Sequence, residues 1–217
     1  MFNYLVLVLI LKELDLIKGN KKNEPKAKNS EKCTLTRRGS EDPYPSLSKC
    51  YKYNNEACCM SVHDDYINDY INKILSPSCV RKYPDFENLM CFGCHPLENK
   101  YIDYEENLIR ICKSFAEDFW GGPLDQNSTK FDNCGFKVDD SEDSNECLKS
   151  RDGENYIIPS ERFENFYTFM ECIKIPFYEK YKIITQEDED EFCYNFSLYI
   201  NHINKLYVIL SLIFFFI

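Results

Sequence analysis

Cys91-Phe92-Gly93-Cys94-His95 is the stretch whose residue types and spacing most readily do chemistry. Two thiols three positions apart, followed by an imidazole, match the pattern of c-type haem attachment. They equally match half a zinc site or a redox dithiol. Haem attachment and zinc binding both need reduced thiols. The chain holds twelve cysteines, and that abundance points to an oxidising compartment where cysteines pair with each other. A zinc set would also need a second Cys-x-x-Cys or a His-x-x-x-His, and the sequence has neither. The expected role of the motif is structural, with no metal and no cofactor.

The remaining chemistry-bearing residues do not assemble into a catalytic set. The three histidines, His63, His95 and His202, are scattered, and no Gly-x-Ser-x-Gly, phosphate-binding glycine loop or His-Glu-x-x-His occurs. Glu187 to Glu191 is an unbroken acidic block. It lacks the alternating ligands and glycine of a calcium loop, so a solvated acidic face is expected. The net charge of −10 argues against nucleic acid as a partner, because phosphate contacts need clustered Lys and Arg. A non-catalytic protein is the expectation.

Several elements must position these groups. Adjacent Cys58 and Cys59 cannot easily bond each other, so they staple two other segments to one point. A helix is predicted from Ser61, with Asp64 closing a capping box, to near Pro77. Val62, Tyr66, Tyr70 and Ile74 recur along one face of it, with Ile67, Ile71 and Leu75 beside them. A second helix is predicted over Glu105 to Phe119, where Leu108, Ile111, Cys112, Phe115 and Phe119 share a face; Trp120-Gly121-Gly122-Pro123 ends it. Asp139 to Asn155 reads as an acidic loop. Pro159-Ser160 opens a third helix bearing Phe163, Phe166, Tyr167, Met170 and Ile173, an aromatic stripe of core type.

The two ends read as processing signals around one domain. Residues 1–17 carry an apolar run, Tyr4 to Leu11, of signal-peptide length; the plain alternative is a buried N-terminal helix. Residues 18–32 form a flexible basic leader, and 33–194 the cysteine-rich domain. Residues 195–217 end in an uncharged tail, Leu206 to Ile217, shorter than the roughly twenty residues of a spanning helix. Small or polar residues upstream, Asn195 and Ser197, make this the pattern of a GPI-anchor signal, with a short tail anchor as the rival. Asn127-Ser128-Thr129 and Asn195-Phe196-Ser197 are glycan acceptor sequons. Asn127 is the expected glycosylation site, and Asn195 or Ser197 the expected anchor site. The cell surface follows as the expected location.

In order, Tyr51 beside a cysteine, Ala57-Cys58-Cys59, Pro77-Ser78-Cys79, Leu89-Met90-Cys91-Phe92-Gly93-Cys94-His95-Pro96 and Ile111-Cys112-Lys113-Ser114-Phe115 resemble the signatures of the folate-receptor-like family. The resemblance covers about Cys33 to Phe136. It implies an α+β, mainly helical, disulfide-rich single domain with short strands and long loops. It also implies the bridges Cys33–Cys58, Cys50–Cys91, Cys59–Cys94, Cys79–Cys134, Cys112–Cys193 and Cys147–Cys172, the last two resting on cysteine order.

The family's vitamin receptors bind a pterin with a carboxylate after the double cysteine and stack tryptophans on its rings. Carried over, the acid is Asp65, with a solvated acid in the first helical turn as the plain reading. Trp120 is the one tryptophan here, so Tyr66 and Tyr70 are the substitutes for the missing rings. The resemblance thus implies a surface receptor for a small flat, pterin- or vitamin-like ligand. Its alternative is an adhesion receptor that kept the scaffold, lost the pocket and binds a cell-surface protein.

Overall fold

The computed structural model describes residues 32–137, 156–188 and 192–195. The predicted signal peptide, nearly all of the basic leader, the loop 139–155 with Cys147, and Ser197 with the tail lie outside the described residues.

Helix α1 spans Ser61–Ile74. Met60 is its N-cap, and His63 Nδ1 accepts the Met60 amide at 3.0 Å, so His63 closes the first turn where Asp64 was expected to. The helix stops at Leu75, just before Pro77, as the proline requires. Its buried face is Asp64, Ile67, Ile71 and Ile74. Val62 and Tyr66, assigned to the inner face from sequence, are exposed; the packed stripe is rotated onto the isoleucines. Two short helices follow, α2 (Pro77–Lys82) and α3 (Pro84–Met90), each opened by a proline in its first turn.

The predicted helix over Glu105 to Phe119 is two elements. Leu108–Cys112 is a strand, β2, and the helix α4 occupies Lys113–Trp120. Ile109 and Ile111 are buried and alternate with partly exposed Leu108 and Arg110, which is the period-two pattern of a strand. Strand β1 (Ile102–Asp103) pairs antiparallel with β2, and β5 (Lys182–Gln186) pairs parallel on the other side. The sheet order is β1-β2-β5. A second small sheet joins β3 (Phe136–Lys137) to β4 (Tyr156–Ile157). The predicted third helix is also divided, into α5 (Pro159–Arg162) and α6 (Phe166–Cys172). Asn165 separates them because its side chain accepts the Thr168 amide and starts a new helix.

Helix α4 ends on Gly121 at φ 92°, a left-handed cap that glycine adopts without steric cost. A Cβ there would stand 2.8 Å from Lys130 Cβ. Beyond it, Phe86, Phe119, Phe131, Phe136, Phe166 and Phe169 form one aromatic core, with Phe131 stacked on Phe169 at 5.9 Å between centroids. Edge-to-face neighbours such as Phe136–Phe169 at 5.2 Å add packing energy beyond area burial.

Disulfides Cys33–Cys58, Cys50–Cys91, Cys59–Cys94, Cys79–Cys134 and Cys112–Cys193 staple this core. For these ten cysteines they are the pairs that the resemblance implies. The adjacent cysteines diverge as the geometry demands, Cys58 to the N-terminal segment and Cys59 to the Cys91–Cys94 turn. Cys172 is buried, and its expected partner Cys147 lies outside the described residues. The result is a disulfide-rich α+β domain of helices and a small mixed sheet.

Candidate functional site

The Cys-x-x-Cys-His motif is wholly built into this scaffold. Cys91 and Cys94 are in disulfides, and Gly93 between them lies against Tyr178 and Leu35, where a Cβ would meet ring carbon at 3.0 Å. His95 is buried, Nδ1 accepts the Leu97 amide at 3.0 Å, and Tyr53, Tyr101 and Tyr194 pack edge-on around the ring. Burial lowers its pKa to about 3, so it is neutral at physiological pH. Next to it Glu98 is buried, accepting from the Thr34 amide and hydroxyl and from the Tyr178 hydroxyl. Burial raises its pKa despite those hydrogen bonds.

The two acids that open α1 have opposite fates. Asp64 is 1% exposed. Its Oδ2 accepts the Ser48 amide (2.6 Å), the Ser48 hydroxyl (3.0 Å) and the Lys49 amide (2.9 Å), while Oδ1 accepts the Cys50 amide (2.6 Å). It therefore anchors the loop leading into the Cys50–Cys91 bridge. Sequence reasoning missed this role, although Asp64 stands three and seven residues before Ile67 and Ile71 on the same face. Asp65, one position on, is exposed.

Of the four residues expected to line a ligand cleft, Asp65, Tyr66 and Tyr70 stand on α1, with Tyr66 near Tyr70, while Trp120 is sealed in the core. Tyr66 is 48% exposed and packs on Phe177 at 4.8 Å between centroids, and Phe177 also meets His63 edge-on at 5.4 Å. Phe177 has φ 71°, a left-handed backbone costly for a bulky side chain. Tyr70 is half-buried against the core, and burial, with Tyr66 and Glu179 nearby, raises its phenol pKa. Trp120 is completely buried: Nε1 donates to the Gln126 carbonyl at 2.9 Å, and the ring packs on Phe166 and Phe169. Its indole belongs to the aromatic core.

An open groove of about 340 Å³ instead runs between α6 and β5. Tyr167, Met170 and Glu171 form its helical wall, Lys174 lines it just past the helix end, and Lys182 to Thr185 form its strand wall. The Tyr167 and Thr185 hydroxyls are 2.8 Å apart across it, and Lys182 Nζ lies 3.9 Å from Glu171. The β-branched run Ile183-Ile184-Thr185 was the sequence signal for this strand, and it was not read as one. A shallower hollow of about 500 Å³ lies at the start of α4. There Asp188 accepts the Ser114 amide at 3.0 Å and Glu187 pairs with Lys113 at 3.1 Å. Of the first two acids of the acidic block, Asp188 thus accepts an amide of the helix's first turn and Glu187 pairs with a lysine side chain beside it, although both remain exposed.

Asn127 is exposed, with Nδ2 donating to the Ser160 carbonyl at 3.1 Å. Thr129 of that sequon is buried, and its hydroxyl donates to the Trp120 carbonyl at 2.6 Å. Asn195 is 9% exposed and donates to Ser114 Oγ. Among the described residues, no three His, Cys, Asp or Glu side chains converge to hold a metal ion, and no helix is long and apolar enough to cross a membrane. No family model matches this chain, and no curated protein matches it.

Proposed function

We propose that the chain is a non-catalytic cell-surface interaction module on a folate-receptor-like disulfide scaffold, tethered by a GPI anchor near Asn195, which binds a protein partner across an open surface. The scaffold part of this reading is supported by the bridge pattern, since five linked pairs have the connectivity implied by the resemblance. One observation carries the functional part. Trp120 is sealed inside the core while Asp65 stands in solvent, so the acid and the ring that would grip a pterin do not share a cleft. A flat ligand gains much of its affinity from buried aromatic walls, and here the Trp120 ring is taken up by Phe166 and Phe169 in the core.

A second reading, a small flat ligand, is favoured by the volume of the α6–β5 groove, about 340 Å³, which is within the range of ligand pockets. Thermal unfolding of the disulfide-intact protein with folate, pteroate or riboflavin separates the two. A ligand at about one hundred times its Kd adds about 2.7 kcal/mol and a shift of several degrees. The interaction reading expects no shift with any of the three, together with saturable, protease-sensitive binding of the labelled protein to cells. A shift with any vitamin, or an absence of saturable cell binding, counts against it. Release of the cell-bound protein by a phosphatidylinositol-specific lipase tests the tether.

A further inference from the structure

We propose that the open edge of β5 accepts one more strand: an extended apolar segment of a partner protein, with carboxylates at the end that lies beside Lys174 and Lys182. This rests on the interaction reading and names the class of partner.

The register shows which groups are available. The Lys182 amide donates to the Asn107 carbonyl at 2.9 Å, and Ile109 lies opposite Ile183 in a parallel ladder. Alternate residues of such a strand face the same neighbour, so Lys182, Ile184 and Gln186 turn towards β2. The amides and carbonyls of Ile183 and Thr185 turn the other way. The sheet order places no described strand beyond β5. An unpaired row of this kind is a template for another chain, and strand addition at such an edge is a recurring mode of peptide recognition.

The groove gives that edge a shape and a sign. An added strand would lie along β5 with α6 as its second wall, and alternate side chains would meet Tyr167 and Ile183. Of the charged groups lining the groove, two are lysines, Lys174 and Lys182, and one is a glutamate, Glu171. Lys182 and Glu171 are 70% and 58% exposed and 3.9 Å apart, so this pair leaves the lysine available to a partner. A locally cationic groove on a chain of net charge −10 is complementary to an acidic segment. Antiparallel pairing is the more stable arrangement, and it sets the partner's C-terminal end beside the lysines.

The probe is an acetylated, amidated heptapeptide, Val-Ile-Val-Ile-Asp-Glu-Glu, carrying a fluorophore and titrated by anisotropy against the full chain with disulfides intact. Saturable binding is expected. N-methylating the peptide amides that face β5 should weaken it by about tenfold or more, and methylating the alternate amides by no more than about twofold. Lys174→Glu with Lys182→Glu should also weaken it by about tenfold and transfer preference to a peptide ending in lysines. Absence of binding, equal effects of the two methylation sets, or indifference to the charge reversal would each overturn the proposal. So would concentration-dependent dimers that exclude the peptide, because a second copy would then be the occupant. If the peptide fails while saturable cell binding persists, the edge assignment falls and the interaction reading stands. If both fail, both fall.

Discussion

Replacing Asp64 should unfold the domain far more readily than replacing its neighbour Asp65. Asp64 holds three backbone amides and one hydroxyl with two oxygens. The Cys50 amide is buried, whereas those of Ser48 and Lys49 are only part-buried and regain some water. One fully stranded donor costs about 1–3 kcal/mol and the two part-buried ones less, so Asp64→Ala should cost about 2–4 kcal/mol. In a chain of this length that is a fall in Tm of about 5–15 °C. Asp64→Asn is the sharper variant because it keeps the shape but turns one acceptor into a donor facing an amide, at about 2 kcal/mol. Asp65→Asn should stay within about 0.5 kcal/mol of the parent, as expected for an exposed side chain. Urea unfolding without reductant measures all three. A cost below about 0.5 kcal/mol for Asp64→Asn, or an equal cost at Asp65, would refute the reasoning.

Three further outcomes follow from single groups. Glu98 has a raised folded pKa because of burial, so its contribution is fully present below the unfolded carboxylate pKa and is lost as pH rises through the folded value. Glu98→Gln, which keeps a donor beside the Thr34 and Tyr178 hydroxyls, should flatten that loss in thermal melts taken from pH 4 to 8; an unchanged profile would contradict the assignment. Gln186 Oε1 is buried without a partner, and Gln186→Met should leave stability equal or raise it by up to about 1 kcal/mol in urea. Gly121→Ala meets both a left-handed φ and Lys130 at 2.8 Å, and should cost about 2 kcal/mol or more, whereas Gly39→Ala, with open space around it, should be nearly neutral.

The parts of this structure legible in sequence are those whose physics is local or compositional. Cysteine abundance and the adjacency of Cys58 and Cys59 are enough to predict a stapled domain. Phe163, Phe166, Met170 and Ile173 were recognisable as core from the aromatic stripe, whereas Tyr167 of the same stripe is exposed. The strand β2 was not legible as a strand: Leu108, Ile111, Cys112 and Phe115 also fit helical spacing, and the strand that decides the matter, β5, pairs with it from more than seventy residues away. The face of α1 was misjudged for a related reason. Val62 and Tyr66 are apolar at the right interval, but Asp64 is drawn inwards by amides of the Ser48–Cys50 loop, and that rotates the packed stripe onto Ile67 and Ile71. The α6–β5 groove needs both walls in place, so no single stretch of sequence announces it.

The central claim is that the tryptophan ring which would wall a vitamin cleft is locked in the core, and Trp120 reports on it directly as the chain's one tryptophan. Its emission should be that of a buried indole and, after inner-filter correction, should not change when folate, pteroate or riboflavin is titrated into the native protein. Saturable quenching by any of them would place a ligand within energy-transfer range of that ring and contradict the account.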